Sequence, residues 1–376
     1  MPTRHRAVAA TGWLAAAVLA GCASVPGPVW QEVSLPAGVR PASLAALGDD
    51  LLVGGQRPSG AGPYMGRLDA SGRLRPVELV ASGGYAAAAD LVLLSPDGAN
   101  LRALGVARGG AHGNQRWTFW QGPVEGPVRD VEQPFSTFGG HEAGPLLGIV
   151  GDPGHPVVVG SRAGIAGFDA ALWTLTGSRW SREPALDPVL RSNPDRALTF
   201  RAAGSRGDLV LIAGAETGLA GEVLQQPMLW SGRLAGTWQA LPLELPEQLA
   251  TATGLAQATA VTCGSADCWA AGRVRGSPVV WQVDPAAGRS RGSVLPGGGG
   301  KATDPLVLVA LAGDTPVVVA DTEPPIAAWL CDGQWRTSPA PPGRTTALAA
   351  VGDRLYALTT SQVGASLWWV PARAEC

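Results

Sequence analysis

The sequence predicts an all-β fold, a seven-bladed β-propeller of four-stranded blades, on three observations. A strand–turn–strand unit recurs along the chain, an aromatic unit follows each copy, and the turn-forming residues are spread through the whole length. Of 376 residues, 52 are Gly and 32 are Pro. Spread rather than packed into linkers, they suit many short strands joined by tight turns.

The first unit is an apolar strand, a Gly/Asp turn and a second apolar strand ending in a small residue. It runs from Leu44 to Gly55 and returns from Leu147 to Gly160, Phe200 to Gly214, Val261 to Gly272, Val309 to Ala320 and Leu348 to Leu358. A degraded copy lies between Ala87 and Val106, around Ser95-Pro96-Asp97-Gly98. The second unit often carries Trp, as in Trp173 to Trp180, Trp230 to Trp238 and Trp329 to Trp335. Looser versions span Gly66 to Arg73, Trp117 to Arg129 and Trp281 to Val294.

Strands A and B come from the first unit, C and D from the second. A period of about 40 to 57 residues with four strands per copy is that of propeller blades. The last copy, around Leu367-Trp368-Trp369-Val370, lacks its closing strand, and Val29 to Pro36 matches Trp238 to Leu243. The N-terminal strand is therefore predicted to complete the last blade and leave no open edge. Runs such as Val157-Val158-Val159 and Leu209 to Ile212 are apolar without alternation, as expected of strands buried on both faces. A pair of sandwiches has no reason to repeat seven times.

These units resemble β-propeller repeats of bacterial exported proteins in general, and no single subfamily. No Trp is followed by Asp, so the WD40 signature is absent, and the Gly-Gly pairs are not periodic as in kelch repeats. Leu68 to Gly72 and Val283 to Gly288 look like quinoprotein-type turns, but only two blades carry them, so they are taken as turn chemistry.

The N-terminus has its own pattern. Arg4, His5 and Arg6 precede a nearly apolar run from Ala7 to Leu19, which ends in Leu19-Ala20-Gly21-Cys22. A basic start before an apolar stretch of this length is a secretory signal rather than a spanning helix. The ending resembles the lipobox of bacterial lipoproteins. The resemblance implies a signal peptide at 1–21, a lipidated Cys22 with a short linker to residue 29, and the propeller from 30 to 376. It implies an exported protein held by its lipid on the outer face of the cell membrane, or of an outer membrane, depending on the organism. Acyl chains contribute about 0.8 kcal/mol per buried CH₂. Nothing later reaches 18 uninterrupted apolar residues, so no second membrane segment is expected.

Composition excludes some partners. Hydrophobic residues make up 46% and charged ones 15%, with a formal net charge of −2. Without a basic block or stripe there is no electrostatic case for nucleic acid, and so apolar a chain is not disordered. A monomeric propeller is expected. Five cysteines become four once Cys22 carries lipid. Export permits disulfides, and the expected pairs are Cys263 with Cys268 and Cys331 with Cys376. Cys-x4-Cys without a neighbouring Cys or His is poor zinc spacing.

Chemistry is sparse. Beyond the signal the histidines are His112, His141 and His155, with no metal spacing between them. No HExxH, Gly-x-Ser-x-Gly elbow, Walker loop or calcium loop occurs, so no metal, cofactor or catalytic residue is assigned. The run from Gly297 to Lys301 reads as a loop rather than a phosphate cradle. Loop length says more. The A–B and C–D turns are tight and share one rim. The B–C and D–A loops share the other and are expected to be long over the first four blades, as from Gln56 to Tyr64, Ala107 to Arg116, Ser161 to Ala171 and Ala215 to Met228, and binding residues tend to sit on such loops above a rigid scaffold. The candidate binding residues there are His112, Arg116, His141, Glu142, Arg162, Asp169, Arg191, Arg196, Glu216 and Glu222. Trp117 and Trp120 are assigned to blade packing ahead of sugar stacking.

Two functions follow from this reading. The first is a tethered binding or scaffolding module for an envelope protein, peptide or glycan. The second is an envelope glycosidase or lyase using acidic and basic residues at the central channel, for which a buried carboxyl of raised pKa at the channel mouth would speak. The linker from Ala23 to Val29 spans at most about 25 Å and enters a D strand at the tight-turn rim. The lipid is thus expected to hold that rim to the membrane and to present the long loops outward.

Overall fold

A computed structural model describes residues 28–109, 115–184, 186–220, 223–234, 236–250, 254–298, 306–373 and 376. The expected signal peptide, Cys22, His112, Glu222 and the run from residue 299 to Lys301 lie outside the described residues.

The described chain is all-β, as expected, and nearly all of its ladders are antiparallel. Strand β1 (Gln31–Val33) is followed by a meander of β2 (Arg40–Leu47), β3 (Asp50–Gln56), β4 (Pro63–Leu68) and β5 (Leu74–Pro76). After the two-residue β6 (Leu79–Val80) and the single-turn helix α1 (Gly84–Ala87) comes a second meander. Its strands are β7 (Asp90–Asp97), β8 (Asn100–Ala107), β9 (Arg116–Pro123) and β10 (Val128–Val131), with β6 added in parallel to its outer edge. A second single-turn helix, α2 (Phe135–Phe138), leads into β11 (Ala143–Asp152), β12 (His155–Ala163), β13 (Phe168–Thr176) and β14 (Arg179–Arg182). The fourth meander holds β15 (Arg196–Arg206), β16 (Leu209–Gly218), β17 (Gln225–Gly232) and β18 (Trp238–Pro242). One bridge, Phe168 to Leu198, joins the third and fourth.

The fifth comprises β19 (Ala256–Cys263), β20 (Cys268–Val274), β21 (Ser277–Asp284) and β22 (Arg289–Val294). The sixth comprises β23 (Val307–Ala312), β24 (Thr315–Ala320), β25 (Ile326–Cys331) and β26 (Gln334–Pro339). The last three strands are β27 (Arg344–Val351), β28 (Arg354–Ser361) and β29 (Gly364–Pro371). Strand β1 pairs with β29, Gln31 opposite Trp369 and Val33 opposite Leu367.

The core lies between meanders. One apolar cluster joins the first two through Leu52, Met65, Leu91 and Trp120. Another joins the third and fourth through Val159, Leu172, Ile212 and Trp230. A further one sets Leu51, Val53 and Leu68 of the first meander against Tyr356 and Leu367 of the last sheet. The first strands of successive meanders, β2, β7, β11, β15, β19, β23 and β27, each contact the next, and β27 contacts β2. Side chains stitch them: Ser43 Oγ donates to the Leu91 carbonyl at 2.7 Å, and Thr259 Oγ1 to that of Val307 at 2.7 Å.

The small residue that ends each first unit has a packing reason. The ladder slips by one residue in β2, β7, β15, β19 and β27, and twice in β11. Such a bulge pushes backbone against the facing strand. A Cβ on Gly214 would collide with the Thr199 carbonyl, and one on Gly272 with that of Gln257. Only glycine fits against a bulge that close.

Two expected loops are shorter than expected. The segments Ser161 to Ala171 and Ala215 to Met228 are largely strand, because their ladders continue past the apolar stretch: Arg162 pairs with Asp169, and Glu216 with Gln226. Polar side chains ended the hydrophobic pattern without ending the backbone hydrogen bonding. The expected cysteine pairs lie at disulfide-bond distance, with Cα separations of 4.0 Å for Cys263–Cys268 and 5.3 Å for Cys331–Cys376. Among the described residues, no helix is long and apolar enough to cross a membrane.

Candidate functional site

Strand alternation separates two rims. The A–B and C–D turns are tight and polar. Asp69 Oδ1 accepts from the backbone N–H groups of Ser71 and Arg73 at 3.0 and 2.9 Å, and Asp284 Oδ1 from those of Ala286 and Ala287 at 3.1 and 3.0 Å. These are self-contained Asx turns. Ion pairs Arg67–Asp50, Arg67–Glu125 and Arg233–Asp208 lie on the same rim.

The opposite rim is different. The exposed large apolar side chains among the described residues are Val29, Tyr85, Phe135, Ile165, Phe168, Leu219, Val223, Leu224, Leu255 and Val363. All but Val29 belong to B–C or D–A connections or to the first residue of the strand that follows.

A cleft of about 490 Å³ opens on this rim between the second and third meanders. Its walls come from α1, the first half of β9, the end of β10 and α2, so the two D–A loops and one C strand build it. Arg116, the first residue of β9, projects into it with its guanidinium 4.1 Å from the Phe135 ring centroid and 5.7 Å from that of Tyr85. Arg116 Nη1 is buried and has no hydrogen-bond partner among the described residues. Asp130 and Glu132 line the same cleft. Asp130 Oδ2 accepts from Ser82 Oγ at 2.6 Å. Gln133 is committed to structure: its amide donates to the Ser178 carbonyl at 2.8 Å and accepts from the Trp180 N–H at 3.0 Å. Trp117 lines the cleft, whereas Trp120 is fully buried and donates to Thr118 Oγ1 at 3.0 Å, as blade packing requires.

The other candidates lie around this cleft and beyond it. Arg162 on β12 pairs with Glu142 at 3.1 Å and donates to the Gly139 carbonyl at 3.2 Å. Arg196 on β15 pairs with Glu216 of β16 at 3.2 Å, and donates to the carbonyl groups of Pro188 and Arg191 at 3.1 and 3.4 Å. Asp169 accepts from the Ser192 N–H at 2.9 Å. These groups tie the extended hairpins to the D–A loops. Arg191 caps a single 3₁₀ turn by donating its backbone N–H to Pro188, and His141 is exposed next to Glu142. Of the candidates, Arg116 alone lines the cleft; Tyr85, Phe135, Asp130 and Glu132 line it without having been among them. Tyr85 and Phe135 sit in single-turn helices whose aromatic residues look in sequence like ordinary loop filler, and Asp130 and Glu132 lie at or just past the end of a short strand.

At the inner edge of the same rim, Arg40 and Asp90 begin β2 and β7, and Arg108 follows β8. Burial pushes the Asp90 carboxyl above its ordinary value against the pull of Arg40 and then Arg108, and its Oδ1 has no hydrogen-bond partner among the described residues. Burial likewise raises Asp321, opposed by Arg344 at 3.3 Å. No group of three or more His, Cys, Asp or Glu able to hold a metal occurs among the described residues.

No family model matches this chain, and no curated protein sequence matches it. Solved structures do. The β-propeller domain of Cps50 (Swd1) from Myceliophteria thermophila is similar, with a TM-score of 0.55 and 11% identity, over 90% of this chain and 99% of that one. The β-propeller domain of the Trilobed protease from Pyrococcus furiosus, described as having an open velcro topology, has a TM-score of 0.52 and 8% identity, over 88% and 95%. A prolyl endopeptidase has a TM-score of 0.52 and 14% identity over 89% of this chain, which spans only 47% of that longer one. At such identities the likeness is one of fold: the chain is built as a β-propeller.

Proposed function

We propose that this protein is a membrane-anchored, extracytoplasmic, seven-bladed β-propeller that acts as a binding or scaffolding module through its long-loop rim. The carrying observation is the one-sided distribution of exposed large apolar side chains, with nine of the ten among the described residues on that rim and the tenth, Val29, beside the expected tether. Seven blades and a closed ring are supported by the cycle of contacts among first strands and by the pairing of β1 with β29. Anchoring rests on the lipobox-like ending at Cys22, and it directs the polar tight-turn rim to the membrane surface. Fold does not choose between binding and catalysis. The part-buried Asp90 near Arg40 and Arg108, and Asp321 beside Arg344, both with carboxyls raised by burial, favour the second reading, a glycosidase or lyase at the channel mouth.

The test is crosslinking of the lipidated protein in intact cells, comparing the natural chain with an Ile165→Ser/Phe168→Ser/Leu224→Ser variant. A partner captured reproducibly by the natural chain and lost in the variant supports the proposal. Identical capture by both, or none by either, contradicts it.

A further inference from the structure

We propose that the cleft between the second and third meanders is a binding site for a neutral oligosaccharide. The inference rests on the reading of the long-loop rim as the recognition face and names the ligand class for one part of it. Four properties of the cleft carry it.

The first is its aromatic surface. Tyr85 and Phe135, which both line the cleft, are 50% and 53% exposed. Both belong to single-turn helices, so the rings are presented by short, hydrogen-bonded segments. The C–H faces of a pyranose pack against such rings as other apolar surfaces do.

The second is the mixture of polar groups. Arg116 offers fixed, forked N–H donors, and Asp130 and Glu132 offer acceptors. A sugar hydroxyl both donates and accepts, so a row of hydroxyls can use both signs at once. An anionic ligand would meet two carboxylates against one guanidinium, and a cationic one would meet Arg116 at the centre of the site. A neutral, hydroxyl-rich ligand meets neither penalty.

The third is an unmet need. Arg116 Nη1 is buried at the wall of the cleft with no partner among the described residues, and an unpaired buried donor is costly unless something completes it. The contact with the Phe135 ring does not supply Nη1 with a hydrogen-bond partner. The fourth is size. A cleft of about 490 Å³ falls within the range of small-ligand sites, enough for a short glycan segment and small for a folded partner.

The test uses the full lipidated chain in detergent micelles on an array of cellotetraose, chitotetraose and tetragalacturonate, followed by titration of the sugars that bind. Saturable binding of a neutral tetrasaccharide is expected. Tyr85→Ala/Phe135→Ala should weaken it about tenfold or more, and Arg116→Met should weaken it comparably. Tyr85→Phe/Phe135→Tyr, which keeps both rings, should leave it near the natural value and controls for folding. Arg233→Gln, on the opposite, tight-turn rim, should change nothing. A blank array, binding of tetragalacturonate alone, or binding indifferent to the ring substitutions overturns the proposal. If the array is blank while cell-surface capture still depends on Ile165, Phe168 and Leu224, the glycan site falls and the recognition rim stands. If both fail, the rim reading falls with it.

Discussion

The guanidinium of Arg116 lies over the ring of Phe135, 4.1 Å from its centroid, joining the start of a C strand to a helical turn in the next D–A loop. A cation–π contact at a partly exposed site is worth about 0.5–1 kcal/mol. Arg116→Met removes it while keeping the length of the side chain. The variant should retain its thermal midpoint within a few degrees. The Thr137 and Gly139 amides, which donate to Pro134 and Phe135, should exchange about two- to fivefold faster by hydrogen–deuterium exchange. Unchanged protection would show that the stacking does not order the turn.

Gly214 faces the bulge of β15 so closely that a methyl group would strike the Thr199 carbonyl. Gly214→Ala should cost about 1–3 kcal/mol, read as a lower urea midpoint with an unchanged slope. A neutral substitution would mean that the bulge yields easily.

Strand β1 forms the edge of the sheet of β27, β28 and β29 by pairing with β29, and the Trp30 indole donates to the Pro339 carbonyl at 3.1 Å. A chain beginning at residue 37 should unfold several degrees lower and expose the β29 edge, which is prone to pair with other strands. A peptide of residues 28–36 added in trans should bind it and restore part of the loss. Equal stability with and without the strand would contradict closure through this pairing.

Cys376 is tied to Cys331 across a sequence separation of 45 residues, pinning the chain end to the sixth meander. Cys376→Ser should lower unfolding free energy by about 2–4 kcal/mol, measured under oxidising conditions. Adding reductant should abolish the difference between the natural chain and the variant, since the second pair, Cys263–Cys268, opens in both.

Burial raises the Asp90 carboxyl above its ordinary value, outweighing Arg40 and Arg108. A carboxyl raised on folding favours the folded state while protonated, and that advantage is lost as pH rises through its folded value. Asp90→Asn mimics the protonated form at every pH. The variant should match the natural chain at acidic pH, below the ordinary carboxylate value, and exceed it by up to a few degrees in Tm at pH 7. A variant less stable at pH 7 would mean that the attraction of the two arginines outweighs burial.

Much of the architecture was legible because each unit repeats the same physics. Apolar runs such as Val157 to Val159 and Gly/Asp turns such as Gly313-Asp314 mark strand pairs whatever surrounds them. The recurring small residue was visible, but its reason, a bulge that brings backbone against Gly214, is a three-dimensional fact. Strand β6 was invisible because two residues, Leu79 and Val80, carry no periodicity. The site was legible only in outline. Counting loop lengths found the rim, and charge picked out Arg116. Arg162, Glu142, Arg196 and Glu216 carry the same charges yet pair with one another, which spacing in sequence does not reveal. Tyr85 and Phe135 gave no signal, since an aromatic residue in a loop reads alike whether it packs inward or stays open.

The central claim, that the long-loop rim is the recognition face, is tested most directly by hydroxyl-radical footprinting of the lipidated protein in its native envelope and after purification in detergent. The account predicts that Tyr85, Phe135, Ile165, Phe168 and Leu224 are protected in the envelope and become reactive on purification. Equal reactivity of these side chains in both states, with changes confined to the tight-turn rim around Arg67 and Arg233, would contradict it.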